Sequence, residues 1–490
     1  MTDFDRRTMM GVAGAALMLP ASLRAREAGF SWQALAERAR RLAASPFVDT
    51  PPYPAAAKVG YDAVNQARFR DDRTIWGDLL GATGIRLFPL SGTAQQPVRI
   101  ALIEQGRVSP LRYDPGLFDI PAGNAVGGLG ADAGFAGFRI MNAARDGDWL
   151  SFLGASYFRA PSPQGQFGLS ARAIAINTSL GEREEFPRFT HFWIERTGDS
   201  AVRVYALLDG ASVTGAFRFD NVLAREGVRQ DVTAALFLRR PVEEIGLMPM
   251  TSMFWYDQAQ RARSGDWRPE VHDSDLLAFL TREGQHHARP LVNPSTTRLS
   301  RFGPAEPAGF GLLQRDRKFA HYQDDGVFYD RRPSLWATPH VAPDCEMRLW
   351  EFGTVNEYVD NIGAYLTPRT MPLPGRRIDL RYRLDWSASR APGGGAAAIL
   401  EDIWLGATEQ PQVQRLVLDF ADIPSGTKPD LWSEIVGGEI LHQAAYAVQG
   451  MPHLYRVTLD IRHAGPADLR AQLRVGNGAF SEYVHYPLGA

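Results

Sequence analysis

Between residues 378 and 385 the chain alternates without a break. Ile378, Leu380, Tyr382 and Leu384 are apolar, while Asp379, Arg381, Arg383 and Asp385 are charged. An extended strand puts two such sets on opposite faces, one against a core and one in water; a helix would mix them. The same pattern returns at Val457, Leu459 and Ile461, and at Leu469, Ala471, Leu473 and Val475. Earlier, Val202, Tyr205 and Leu207 lead into the turn dipeptide Asp209-Gly210, and Val232, Ala234, Leu236 and Leu238 alternate. Short strands with 47 glycines and 33 prolines to turn them predict a mainly β protein of packed antiparallel sheets, not a βαβ succession. One helix is expected, where Trp32, Leu35, Ala39 and Leu42 recur at helical spacing behind the N-cap Ser31.

A chain of 490 residues is too long for one ordinary core, so two units are expected. Pro368, Pro372, Pro374 and Gly375 crowd one segment and suggest the join. The expected division is 26–372 for a large β unit and 376–490 for a β-sandwich of immunoglobulin size. A hydrophobic fraction of 45% excludes global disorder, and a formal charge of -2 argues against a protein that coats nucleic acid. Lys58, Lys318 and Lys428 are the three lysines among 53 basic residues, a skew that reads as genome base composition. Cys345 is the single cysteine, which excludes an intrachain disulfide and a cysteine-based zinc site.

Residues 1–25 read as a secretory leader. Asp5-Arg6-Arg7-Thr8-Met9-Met10 precedes an apolar run from Gly11 to Leu19, a twin-arginine layout with cleavage expected after Ala25. The run is too short to span a bilayer as a helix, so the expectation is a periplasmic protein with no membrane attachment after leader removal.

No P-loop, HExxH or EF-hand pattern occurs, and no cofactor or metal is expected. Three stretches concentrate polar and aromatic groups. In Arg268–Asp275, Asp273 and Asp275 beside His272 could bind a cation, hold a water or form a carboxylate pair in a pocket; alternatively Ser274 or Asp275 caps Leu276–Leu280 as a helix. In 311–336, Arg315, Arg317, Arg331 and Arg332 interleave with Tyr329 and Trp336. They form either a solvated face or a sugar cleft, in which aromatic rings stack on sugar faces and guanidinium forks bind hydroxyls. In 356–365, Glu357 and Asp360 lie three apart near Asn361, Ile362 and Tyr365. This is either a hydrogen-bonded turn or a carboxyl with its pKa raised for general-acid work. His286 and His287 read as a relay or as an exposed pair.

Taken together, these stretches resemble the osmoregulated periplasmic glucan biosynthesis proteins of types G and D, with the leader closer to type D. The matching segments run in order: Tyr61-Asp62-Ala63, Arg68-Phe69-Arg70, Phe152–Arg159, Gly168–Arg172, Phe192–Arg196, Thr251–Phe254, Pro269–Asp275, Gly311–Arg317, Arg332–Trp336 and Asp360-Asn361-Ile362. The resemblance implies a galactose-mutarotase-like β-sandwich followed by an immunoglobulin-like one. It further implies action on β-1,2-glucan as an inverting endo-glucanase or transglycosylase, or glucan binding alone, and it leaves a homodimer open. On the matched motifs Asp360 takes the general-acid place with Glu357 beside it, and Asp273 and Asp275 handle the attacking water. His272, Arg315, Arg317, Tyr329, Arg331, Arg332, Trp336, Asn361 and Tyr365 would line the substrate cleft. The chain departs from the family pattern at Leu276, where glycine is usual, and in 281–290 and 342–346.

Overall fold

The computed structural model describes residues 30–77, 83–303 and 307–489; the leader expected at 1–25 lies outside them. The helix forms at Trp32–Ala43, with Ser31 accepting from the Ala34 amide and Leu35, Ala36 and Ala39 buried. It rests on the outer face of a large sheet, where the Thr214 hydroxyl donates to the Ala39 carbonyl at 2.8 Å. Nearly everything else is strand, as the alternation requires. Among the described residues a 15-stranded and a 10-stranded sheet dominate, with a four-stranded sheet near the C-terminus.

The two large sheets face one another across an aromatic core. Phe138, Phe152 and Phe158 from the 10-stranded sheet meet Phe192 and Phe219 from the other, with Phe152 and Phe219 edge-to-face at 5.0 Å. Each such pair contributes about 0.5–1.5 kcal/mol beyond its buried area. This is sandwich packing, with apolar side chains interdigitating between two pleated faces.

Strand Arg377–Ser387 has the burial its sequence predicts, with Ile378, Leu380, Tyr382, Leu384 and Trp386 inside. Its position differs from the expected division at 372–376. It pairs with Gly227–Leu238 on one side and Ser334–Val341 on the other, deep within the 15-stranded sheet. The proline-rich segment before it is a turn that returns the chain to the same sheet. The C-terminal sandwich begins after this strand. Its four-stranded sheet (Ile399–Ala407, Val413–Ala421, Glu439–Ala447 and Tyr455–Arg462) covers Asp430–Val436, Ala467–Val475 and Tyr483–Leu488. Leu416, Leu418, Leu459, Leu469 and Leu473 fill the space between the layers.

The two sandwiches share a sheet, because Tyr483–Leu488 pairs in parallel with His286–Pro290. Trp336, expected in a cleft, is 4% exposed and packs into the C-terminal core. A Cβ on Gly309 or on Gly393 would stand 2.7 Å from its indole, so both positions need glycine. Leu276 to Thr281 form a strand, which removes the helix-capping reading of Ser274 and Asp275. His286 and His287 also lie on a strand and point to opposite faces, so His287 is buried instead of exposed.

Arg315, another residue expected to bind substrate, is 3% exposed and acts as the bracket of this joint. Its guanidinium donates to both Glu482 carboxylate oxygens at 2.8 and 2.9 Å, and to the carbonyls of Leu400 and Arg390. Breaking a buried ion pair on one side strands a charge, at a cost of about 3–5 kcal/mol. Arg315→Ala should therefore destabilise the protein by about that much in denaturant unfolding. Arg315→Met with Glu482→Leu should recover most of the loss, and a double variant no more stable than the single one would contradict the pair's role.

Candidate active site

The loop between strands Cys345–Glu351 and Ile362–Pro368 carries Glu357 and Asp360. Its end is clamped by Asn361, which is fully buried. The Asn361 carboxamide accepts from the Phe254 amide at 2.9 Å and donates to the carbonyls of Phe254 and Phe352 at 3.0 and 2.9 Å. These bonds use both ends of the amide, so Asn361 aims its neighbour Asp360 and does not face a substrate, contrary to the expectation. Tyr365 is likewise 1% exposed, with its hydroxyl donating to Glu244 at 3.0 Å inside the core.

Asp360 is exposed on this loop, although neighbouring protein crowds part of its carboxyl. That loss of bulk water raises its pKa, opposed by the charge of Arg159, the Thr251 side chain and the charge of Arg332. Glu357 is differently placed. It accepts from Arg268 at 2.8 Å and from the Tyr329 hydroxyl. Arg268 is 8% exposed and also holds Asp324 at 2.7 Å and Asp266 at 3.0 Å. Three carboxylates around one guanidinium lock the Glu357 turn in place.

Arg332 is the cation at the centre. Its guanidinium pairs with Asp273, lies 4.0 Å over the Tyr329 ring, and feels the charges of Glu357 and Asp360. Burial lowers its pKa to about 10, which leaves it charged at neutral pH. Gly168 gives its stem room, since a Cβ there would stand 3.1 Å from the Arg332 Cβ. Arg317 supports the same turn from beneath, donating to the Arg332 carbonyl, and Arg331 points outward over Phe328. Arg317 and Arg331 are therefore removed from the expected lining, the first as a brace and the second as an exposed side chain.

The break between strands Val271–His272 and Leu276–Thr281 separates the two aspartates of 272–275. Asp273 faces Arg332. Asp275 faces the other way, and its Oδ2 accepts the backbone amides of Arg315 and Asp316 at 2.7 and 2.8 Å. Asp275 is thus a backbone brace. Just before them His272 is fully buried, with Nε2 on Glu270 and Nδ1 on Gln314, both at 2.9 Å. Burial opposes its charge, but the Glu270 hydrogen bond and the Glu270 charge outweigh it and lift the pKa to about 9. Gln314 then donates to the carbonyls of His272 and Tyr329 and ties the two loops together.

The structure therefore gathers Asp360, Glu357, Asp273, Arg332 and Tyr329, and takes Asp275, His272, Arg315, Arg317, Arg331, Trp336, Asn361 and Tyr365 out of direct reach. It adds Arg159, Thr251, Arg268 and Asp324. Arg159 and Thr251 stand in the matched segments 152–159 and 251–254, but no spacing rule distinguishes them; Asp324 has no sequence signal. Trp267 and Tyr358 flank the cluster at 69% and 86% exposure, open to stack on a sugar ring. A cavity of about 750 Å³ adjoins the Glu357 loop, lined by Trp255, Asn293 and Thr354 among others.

Among the described residues, Glu270, Asp316 and His321 could hold a metal ion, with ligand atoms within 4.8 Å of one another. Within this trio Asp316 and His321 are hydrogen-bonded to each other, and Glu270 is engaged by His272.

The His272 arrangement predicts a pH window. Its pKa in the folded chain lies above the ordinary value near 6.5, so its contribution to stability is complete below about 6.5 and fades as pH rises through about 9. Thermal unfolding followed from pH 6 to 10 should show a falling Tm over that range. His272→Gln should have a lower Tm at pH 6 and a flatter profile; an unchanged slope would refute the assignment.

The sequence matches the family described as "Periplasmic glucan biosynthesis protein, MdoG" over residues 30–488. Glucans biosynthesis protein D 2 of Ralstonia nicotianae is 37% identical over 493 residues, covering 94% of this chain and 91% of its own length. Glucans biosynthesis protein D of Xanthomonas campestris pv. campestris is 42% identical over 368 residues, covering 73% and 68%. A solved polysaccharide lyase is 8% identical with a TM-score of 0.22, covering 72% of this chain and 44% of the lyase, too distant to bear on fold or function.

Proposed function

The chain belongs to the periplasmic glucan biosynthesis family, and on that premise we propose that it cleaves or re-joins β-1,2-linked glucan by an inverting mechanism, with Asp360 as general acid. The observation that carries this reading is the placement of Asp360, a carboxyl open to solvent beside the charge of Arg332, which itself pairs with Asp273. An acid that protonates a glycosidic oxygen works better with a raised pKa, and neighbouring protein pushes that of Asp360 upward. Asp273, paired with Arg332, receives the proton of the attacking water, directly or through further waters. Inverting enzymes need about 6.5–9.5 Å between their two carboxyls to admit that water. Glu357 serves as a positioning group, because Arg268 and Tyr329 occupy its oxygens. Trp267 and Tyr358 stack on flanking sugar units.

The place of action is the periplasm, reached through the twin-arginine leader at 1–25. No helix among the described residues is long and apolar enough to cross a membrane.

One observation favours a second reading, a glucan-binding protein without turnover. Asp275 is committed to backbone amides and Asp273 to Arg332, which leaves water activation to a paired carboxylate.

Purified protein incubated with linear β-1,2-glucan should give shorter or re-joined chains, read by mass spectrometry. Asp360→Asn should cut the rate by at least the roughly 10²–10⁴-fold that general acid catalysis contributes. Equal rates would remove Asp360 from the mechanism, and binding with no product from either protein would favour the second reading.

The charge of Arg159 lowers the Asp360 pKa, and the acid works only while protonated, so the rate falls as pH rises through that pKa. Arg159→Ala should shift the alkaline limb of the pH–rate profile to higher pH. A shift in the opposite direction would contradict the acid assignment.

A further inference from the structure

Where the two sandwiches meet, a cavity of about 360 Å³ opens that shares no residue with the carboxylate cluster. Small-ligand sites span roughly 300–1,000 Å³, so the cavity lies at the lower end of that range. One wall is strand His286–Pro290, which brings His287 and Arg289. The second is Arg298–Phe302, the edge strand of the 10-stranded sheet. The third is C-terminal, from Asp468–Arg470 and His485–Pro487.

His287 is 8% exposed, and its ring stacks on Phe279 at 4.3 Å. Its Nδ1 meets His485 Nε2 at 2.9 Å, and its own Nε2 has no hydrogen-bond partner among the described residues. A buried polar atom without a partner costs about 1–3 kcal/mol, which a bound hydroxyl would offset. A hydroxyl both donates and accepts, so it satisfies Nε2 in either tautomer of the histidine pair.

The charge pattern argues against a simple anion. Burial depresses both imidazoles, His287 to about 4 and His485 to about 3, so neither is charged at neutral pH. Three of the arginines are already paired: Arg289 with Glu351 at 2.7 Å, Arg298 with Asp468 at 2.5 Å, and Arg470 with Glu434 at 3.5 Å. The half-exposed Phe302 ring, edge-on to His485 at 5.5 Å, offers an apolar face beside these polar groups. Hydroxyls around a ring with an apolar face match that lining, as in other aromatic-walled sugar sites.

We propose that this seam is a second saccharide site, holding a glucosyl segment of the same glucan while the carboxylate cluster works on another part of it. The identity of the sugar rests on the function proposed above. The position of the site rests on the cavity and its orphaned imidazole nitrogen.

Hydrogen–deuterium exchange on the full chain carrying Asp360→Asn, titrated with linear β-1,2-glucooligosaccharides, separates the two sites. Residues 286–290, 298–302 and 483–487 should slow in exchange, as should 251–275 and 357–362. Arg301→Ala removes an exposed fork and Ser300→Trp fills the cavity. Each should weaken seam protection at least tenfold while leaving the cleft protected. A seam that stays unprotected when the cleft is saturated would overturn the proposal, and so would protection by inorganic phosphate but not by saccharide. Unchanged seam protection in both variants would overturn it as well. Protection at the seam alone would keep the seam site and remove the cleft reading.

Discussion

The bidentate pair between Arg315 and Glu482 is the contact on which the arrangement of this molecule turns. Arg315 leaves the end of strand Pro307–Leu313, and its guanidinium reaches the last strand region of the chain. Its own backbone amide is held by Asp275, so one residue links the C-terminal sandwich, the 272–275 segment and the turn that follows. Two neighbours extend the hold. Gln314 ties His272 to Tyr329, and Arg317 grips the carbonyl of Arg332. A run of four residues thereby sets the position of both Asp273 and Arg332. Buried ion pairs contribute little net stability compared with apolar replacements, so geometric definition is the better account of why charge is used here.

From that bracket the site follows by the pleat of the chain. Neighbouring residues in extended backbone face opposite ways, so Asp273 and Asp275 share a side in an ideal strand. Here the short strand Val271–His272 ends and the strand Leu276–Thr281 begins between different partners. The change of partner turns Asp275 onto backbone amides and leaves Asp273 toward the arginine. The same economy separates Glu357 from Asp360. One is held by Arg268 and Tyr329, and the other is left exposed near Arg159 and Arg332. Two acids three residues apart thus come to stand in different surroundings.

The strands were legible because a core face imposes its period on any segment that crosses it. Ile378 to Leu384 and Val457 to Ile461 are buried as their spacing requires, and the helix behind Ser31 has the cap its sequence promises. The join was misplaced at 372–376 because prolines mark a turn without saying where the next strand will pair. Asp360, Asp273, Arg332 and Tyr329, expected together from the sequence, lie in one cluster. Arg315, Trp336, Asn361 and Tyr365 were expected in a cleft and are buried, since a polar or aromatic residue looks the same in a sequence whether it meets a ligand or a core partner. Arg159, Thr251 and Asp324 reach the site from strands and loops far away in the chain, and no local spacing connects them to it.

Local chemistry was enough to require sheets, to place most of their strands and to point to three polar stretches, because side-chain periodicity and turn preference act over a few residues. Closure of the fold settled which of those polar groups face solvent, which acid loses its water and which arginine is consumed as a bracket. Those outcomes depend on partners some 40 to 170 residues distant, such as Glu482 for Arg315, Glu357 for Arg268 and Phe254 for Asn361. A pKa or an ion pair is a property of the assembled surroundings, and these exist only once the two sandwiches have met.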